Sequence, residues 1–158
     1  MKKYLKYLLL LVSLFSSSIF ACDGIAQKME MAKSLYQDQE FLDFACGVTG
    51  CSLEEFETHL EYKKEPIVKD RDIFACFVKA ISSAKNIYTG FFIAEDHKIL
   101  PQFIFFGTSI QTTGKIRHGH RTVVGAELIE AGVSEKYEYV WNGKAYVYME
   151  NQKLKIPY

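Results

Sequence analysis

The residues best suited to chemistry crowd into one run, Lys115-Ile116-Arg117-His118-Gly119-His120-Arg121. On an extended segment His118 and His120 point to the same side, the geometry two imidazoles need to share a zinc ion. Against a metal, no third ligand stands at a matching spacing, and His59 and His97 are candidates only by default. The charges of Lys115, Arg117 and Arg121 would also repel a cation, and a metal site needs its full ligand set. The plainer reading is an exposed basic turn, in which Arg117, His118, His120 and Arg121 contact an acidic partner or a phosphate group. We expect the turn, with no metal and no cofactor.

A second candidate is Cys51, which precedes a predicted helix whose N-terminal dipole would lower a thiol pKa, with His59 eight residues on. A cysteine opening a helix resembles the nucleophile of papain-like cell-wall peptidases. Their base comes from a distant strand, so His97, His118 or His120 would have to supply it here. A structural disulfide is the simpler use of Cys51 in an oxidising compartment. Asp70, Asp72, Glu95 and Asp96 have no spacing that suggests a paired acid and base. No G-x-S-x-G, phosphate-binding or dinucleotide fingerprint occurs, and no catalytic residue is assigned.

The N-terminus reads as an export signal. Lys2, Lys3 and Lys6 are followed by an apolar run from Tyr7 to Phe15, then by Ser16-Ser17-Ser18 and Ala21, the order of a bacterial signal peptide over residues 1–21. The run is shorter than the roughly 20 residues that cross a bilayer. Ile19-Phe20-Ala21-Cys22 fits two processing routes imperfectly. Cleavage after Ala21 gives a soluble periplasmic chain, whereas acylation of Cys22 would give a lipoprotein, the one route by which a membrane becomes a partner.

Cleavage after Ala21 leaves 137 residues, enough for a single domain over 22–158. Loss of the three leader lysines from 19 basic and 19 acidic residues gives a mature charge near −3. Nothing basic in excess advertises nucleic acid. Cys22, Cys46, Cys51 and Cys76 make an even count, which reads as two disulfides in the periplasm. Sequence does not rank the three connectivities securely. Gly47 and Gly50 permit the tight reversal a Cys46–Cys51 bridge needs, which favours that pair together with Cys22–Cys76.

These residues need elements to hold them. From Gly24 to Phe44, apolar residues at Ile25, Met29, Ala32, Leu35 and Tyr36 recur at helical spacing, and Gly47 and Gly50 end the pattern. Ser52 and Glu55 form a capping box for a second, short helix carrying Leu53, Phe56 and Leu60 on one face, which should stop before Pro66. Beyond it, short β-branched and aromatic runs predict strands over Ile73–Ala80, Ile87–Ala94, Ile99–Phe106, Ser109–Ile116, Thr122–Ile129, Lys136–Trp141 and Lys144–Met149. The Thr122–Ala131 stretch also admits a helix.

Asn142-Gly143 suits a two-residue type I′ turn, since both central residues need positive φ. That loop would set Trp141 opposite Lys144, Tyr139 opposite Tyr146 and Tyr137 opposite Tyr148, gathering four tyrosines and the tryptophan on one side. The aromatic side is either core or an exposed recognition surface including Tyr139, Trp141 and Tyr146. Core is favoured, because soluble proteins seldom expose so much contiguous apolar surface.

From Cys76 to Val147 the chain resembles small exported bacterial proteins of unassigned activity, which close on an aromatic-x-Gly-Lys-x-Tyr hairpin, here Trp141-Asn142-Gly143-Lys144-Ala145-Tyr146. The resemblance implies a fold type and a compartment, not a function. The expectation is an α+β domain, with two N-terminal helices on one curved antiparallel sheet of about five to seven strands. Export, disulfides, abundant tyrosine and missing catalytic motifs suit a protein-binding module rather than an enzyme. Its concrete form is an inhibitor or immunity protein directed at a cell-wall-degrading enzyme. The alternatives are a cysteine-dependent periplasmic hydrolase and a lipid-anchored envelope structural protein.

Overall fold

Ile73-Phe74-Ala75-Cys76-Phe77-Val78 and Phe91-Phe92-Ile93-Ala94 are unbroken apolar runs. A strand that is apolar on both faces has to be covered on both. The computed structural model describes residues 22–149 and the backbone of residues 156–157, and it provides that double cover. The leader peptide expected over residues 1–21 lies outside the described residues.

Strands β1 (Leu60–Pro66), β2 (Ile73–Ala80), β3 (Ile87–Glu95) and β4 (Lys98–Gly107) form one antiparallel sheet in chain order. Strands β5 (Ser109–Arg117), β6 (His120–Glu130), β7 (Val133–Trp141) and β8 (Tyr146–Tyr148) form a second, and β9 (Ile156–Pro157) adds a two-residue pairing to β7. Helices α1 (Ile25–Tyr36), α2 (Gln39–Cys46) and α3 (Leu53–Thr58) precede them. The helices place Met31, Ala32, Leu35, Phe41 and Phe56 against Cys76, Val78, Phe92 and Ala94 on the outer face of the first sheet. On its inner face Ala75, Phe77, Phe91, Ile93 and Phe105 meet Ile110, Val123 and Tyr146 of the second.

The fold is therefore α+β, but the single curved sheet and the two helices need correction. The continuous run is divided at one corner, where only Thr108 separates β4 from β5 and its N–H donates to the Ala126 carbonyl at 2.7 Å. That corner depends on glycine. A Cβ on Gly125 would lie 2.5 Å from the Phe105 ring, and one on Gly107 would strike the same ring and the Ala126 carbonyl. The first helical pattern is also divided, because the Asp38 side chain accepts from the Phe41 N–H at 2.9 Å and starts α2 afresh. The Ser52 side chain accepts from the Glu55 N–H and caps α3.

β1 was not foreseen. Its Glu61-Tyr62-Lys63-Lys64-Glu65 reads as polar surface, yet charges are what protect an edge strand from pairing with another chain. Residues 120–130 are strand, not helix.

The second sheet crosses the first diagonally. At one corner the Arg121 N–H donates to the Ile67 carbonyl, just past β1, at 2.8 Å; at the opposite corner Ala126 meets Thr108, just past β4. Cys22, 1% exposed, is bonded to Cys76 in the middle of β2, with Cα atoms 5.7 Å apart. Cys46 and Cys51 close the loop between α2 and α3. Both pairings are the ones the sequence favoured, and two disulfides are consistent with an exported protein. No helix of the described residues is long and apolar enough to cross a membrane.

Gly125→Ala should destabilise the protein by about 1–3 kcal/mol through overpacking on Phe105. Gly114→Ala, where an added Cβ meets nothing within 4 Å, should leave the urea midpoint close to wild type.

Candidate functional site

Four chain reversals gather at one end of the molecule, joined by direct contacts. The 67–72 segment meets β6 through the Arg121 N–H to Ile67 carbonyl bond and a bridge between Val68 and His120. The 96–97 turn is tied to the same segment by an Arg71–Glu95 ion pair of 3.0 Å. The 118–119 turn joins β5 to β6, and the 142–145 loop is brought beside it by His120, whose ring stacks on Trp141 with centroids 4.6 Å apart.

His118 (φ 50°) and Gly119 (φ 79°) form a two-residue loop closed by the Arg117–His120 pair, the double positive φ of a type I′ hairpin. The basic run is thus a turn. Its left-handed backbone breaks the alternation on which a shared zinc site for His118 and His120 rested. The two histidines are used differently: His118 is exposed at the tip, while His120 is half-buried on Trp141, with Nδ1 3.3 Å from the His118 carbonyl. Among the described residues no group of three or more His, Cys, Asp or Glu side chains is placed to hold a metal ion.

The base of the turn is fixed from both sides. The Tyr146 hydroxyl donates to the Arg121 carbonyl at 2.6 Å, while the Arg121 N–H is taken by Ile67. Further down the hairpin, Thr113 and Thr122 share a 2.6 Å hydroxyl contact, and Glu65 accepts from the Thr112 N–H at 2.7 Å where the β5 register shifts. Lys115 is paired with Glu138 at 2.9 Å. Among the described residues neither Arg117 nor Arg121 has a carboxylate partner; the two are half-buried on the strands that flank the loop, and His118 is exposed at its tip.

The expected aromatic side exists, with a different register. Tyr139 faces Tyr148 and Trp141 faces Tyr146, so the loop has four residues rather than two. Asn142 explains the difference: its side-chain oxygen accepts from the N–H groups of both Lys144 and Ala145, at 2.9 and 3.0 Å, and holds a wider turn. A slip of two preserves the facing of every side chain.

That face is mainly core. Tyr146 is buried against Phe91 (ring centroids 5.1 Å apart), and Tyr139 stacks on Phe103 at 4.2 Å. Of the site residues the sequence offered, His120, Arg121, Trp141 and Tyr146 are brought together, Arg117 is half-buried beside His120 in the closing pair, and His118 is exposed at the tip. Tyr139 stays in the inter-sheet layer. His59 is the C-cap of α3 and His97 lies in the 96–97 turn. Cys51 has no thiol to ionise while bonded to Cys46.

Sequence reasoning missed the supporting 67–72 segment and the backbone strain. Among the described residues, every non-glycine with positive φ lies at this end: Asp70, Asp96, His97 and His118. Such conformations cost about 1–2 kcal/mol each for ordinary residues. The only advance signal was the scarcity of glycine in turns this short. No known protein family, characterised protein or solved structure matches the chain.

Burial, with Tyr148 and Glu127 nearby, holds the Tyr139 hydroxyl at about 12 against an ordinary 10, and burial also raises Tyr146. Both phenols stay neutral in the fold where those of the unfolded chain would ionise. Their stabilisation is therefore complete below pH 10 and is lost as pH rises from 10 through about 12. Denaturation midpoints should hold to pH 10 and fall beyond it, and Tyr146→Phe should flatten that fall.

Proposed function

We propose that this protein is an exported binding module that inserts the 117–121 turn into the acidic cleft of a protein partner, acting as an inhibitor or immunity protein against a cell-wall-degrading enzyme. The observation that carries this reading is the turn: an exposed His118 at its tip, flanked by Arg117 and Arg121, which among the described residues have no carboxylate partner, on a two-residue loop held from both sides. Guanidinium groups form strong paired hydrogen bonds to carboxylates. Cell-wall glycosidases work with two carboxylates flanking the scissile bond, so their clefts supply the complementary charge. Fixing the turn in advance lowers the ordering cost of association. Strained backbone concentrated at one end is itself a reason to look there for function.

The same disulfides support the soluble rather than the lipid-anchored form. The Cys22 sulfur is committed to Cys76, and one sulfur cannot also carry a lipid thioether. Mature protein should therefore titrate with no free thiol and carry no diacylglyceryl mass at its N-terminus.

The functional test is clearance of a bacterial cell-wall suspension by a panel of muramidases and amidases. The protein should slow at least one muramidase, and the Arg117→Ala/His118→Ala/Arg121→Ala variant, folded by circular dichroism, should not. Equal inhibition by the variant would remove the turn from the account, and no inhibition of any enzyme in the panel would overturn the proposed target.

A further inference from the structure

The diagonal crossing of the sheets leaves one corner of the first sheet uncovered, at the end opposite the turns. One row of inner-face residues runs across all four strands there: Glu61 on β1 faces Lys79 on β2, which faces Thr89 on β3, which faces Phe105 on β4. The second sheet covers Phe105 and leaves the other three beside a cleft of about 230 Å³. Phe77 forms part of its floor, and Ser109 and Gln111 come from the start of β5.

Glu61, Lys79 and Thr89 continue a polar edge of this face on which Lys63 and Glu65 of β1 also lie, and a cleft lined by charged and hydroxyl groups suits water or a polar ligand. The disposition of charge narrows the choice. Lys63, also at the cleft, is paired with Glu65 at 2.6 Å. Glu61 and Lys79 are opposite each other in register, yet among the described residues neither joins an ion pair. Directly opposed residues have Cβ atoms only about 5 Å apart, so two opposite charges front the same small cleft without a direct contact between them. The volume lies below the roughly 300–1,000 Å³ of clefts that take drug-sized ligands, which selects a small molecule.

We propose that this corner binds a small zwitterion, a free amino acid or dipeptide. Its carboxylate bonds to Lys79 and its ammonium to Glu61, the hydroxyls of Thr89 and Ser109 complete the polar contacts, and its side chain lies toward Phe77. The site is independent of the turn end. In an envelope where cell-wall peptides are cut and rebuilt, such ligands are the products of peptide-bond hydrolysis.

The test is a titration of isotopically labelled mature protein with alanine and alanyl-alanine, each in both enantiomeric forms, read by backbone amide shifts. Saturable shifts are expected at Glu61, Lys79, Thr89 and residues 107–111. N-acetylalanine and alanine amide each lack one charge, and should bind about tenfold more weakly or worse, as should the zwitterions to Glu61→Gln and Lys79→Gln. The triple alanine variant of the turn should bind as wild type. Absence of saturable shifts at these positions with every zwitterion would overturn the proposal. So would equal binding of the single-charge probes to the wild-type protein, a comparison that does not depend on any variant folding.

Discussion

The burial of the first sheet on both faces is the constraint from which the rest of this structure follows. β2 and β3 are apolar on both faces, so they need two layers of cover, and two different solutions are used. The helices cover one face and are joined to it covalently, since Cys22, just before α1, is bonded to Cys76 in β2. The chain covers the other face with its own continuation, folding back at Thr108 through a corner narrow enough to require Gly107 and Gly125 around the Phe105 ring. A sheet that folds back through so short a link cannot lie parallel to its parent, and it crosses diagonally.

That crossing sets where polar groups collect. At one corner it brings the start of β6 against the segment after β1, which fixes the Arg121 backbone and presents the 118–119 turn. At another it leaves the charged inner-face residues Glu61 and Lys79 beside an open cleft, with the buried Thr89 next to them. Both candidate sites are thus consequences of covering one sheet, and both stand on strands that the core holds rigid. The proposed recognition surface is the turn, with the half-buried His120–Trp141 stack behind it, while Tyr139 and Tyr146 pack against the core.

Much of the architecture was legible because its signals are local. Capping by Ser52, β-branched runs and the parity of aromatic residues around Asn142 depend on near neighbours and led to the right elements, although the helix after Ser52 ends at Thr58 and Leu60, expected on its face, opens β1 instead. β1 was hidden because the charges that protect an edge strand look like a solvated surface. The division into two sheets was hidden because it turns on a ring meeting two glycines, Phe105 against Gly107 and Gly125, a contact between segments that no periodicity reports. The hairpin register was missed because the Asn142 side chain, rather than its backbone preference, decides the loop length. At the site, the basic composition of 115–121 was visible, but that His118 would occupy the turn and His120 the stack was not, since the Val68 bridge that positions them comes from a distant part of the chain.

Amide hydrogen exchange of the oxidised mature protein tests the central claim most directly, because it ranks segments by the free energy needed to open them. The slowest amides should be those of β2 and β3, exchanging only with global unfolding, with the β6 and β7 amides less protected and the 118–119 turn fast. If the amides of β6 and β7 instead outlast those of β2 and β3, the second sheet is a folding unit in its own right, and the doubly covered first sheet is not what the structure depends on.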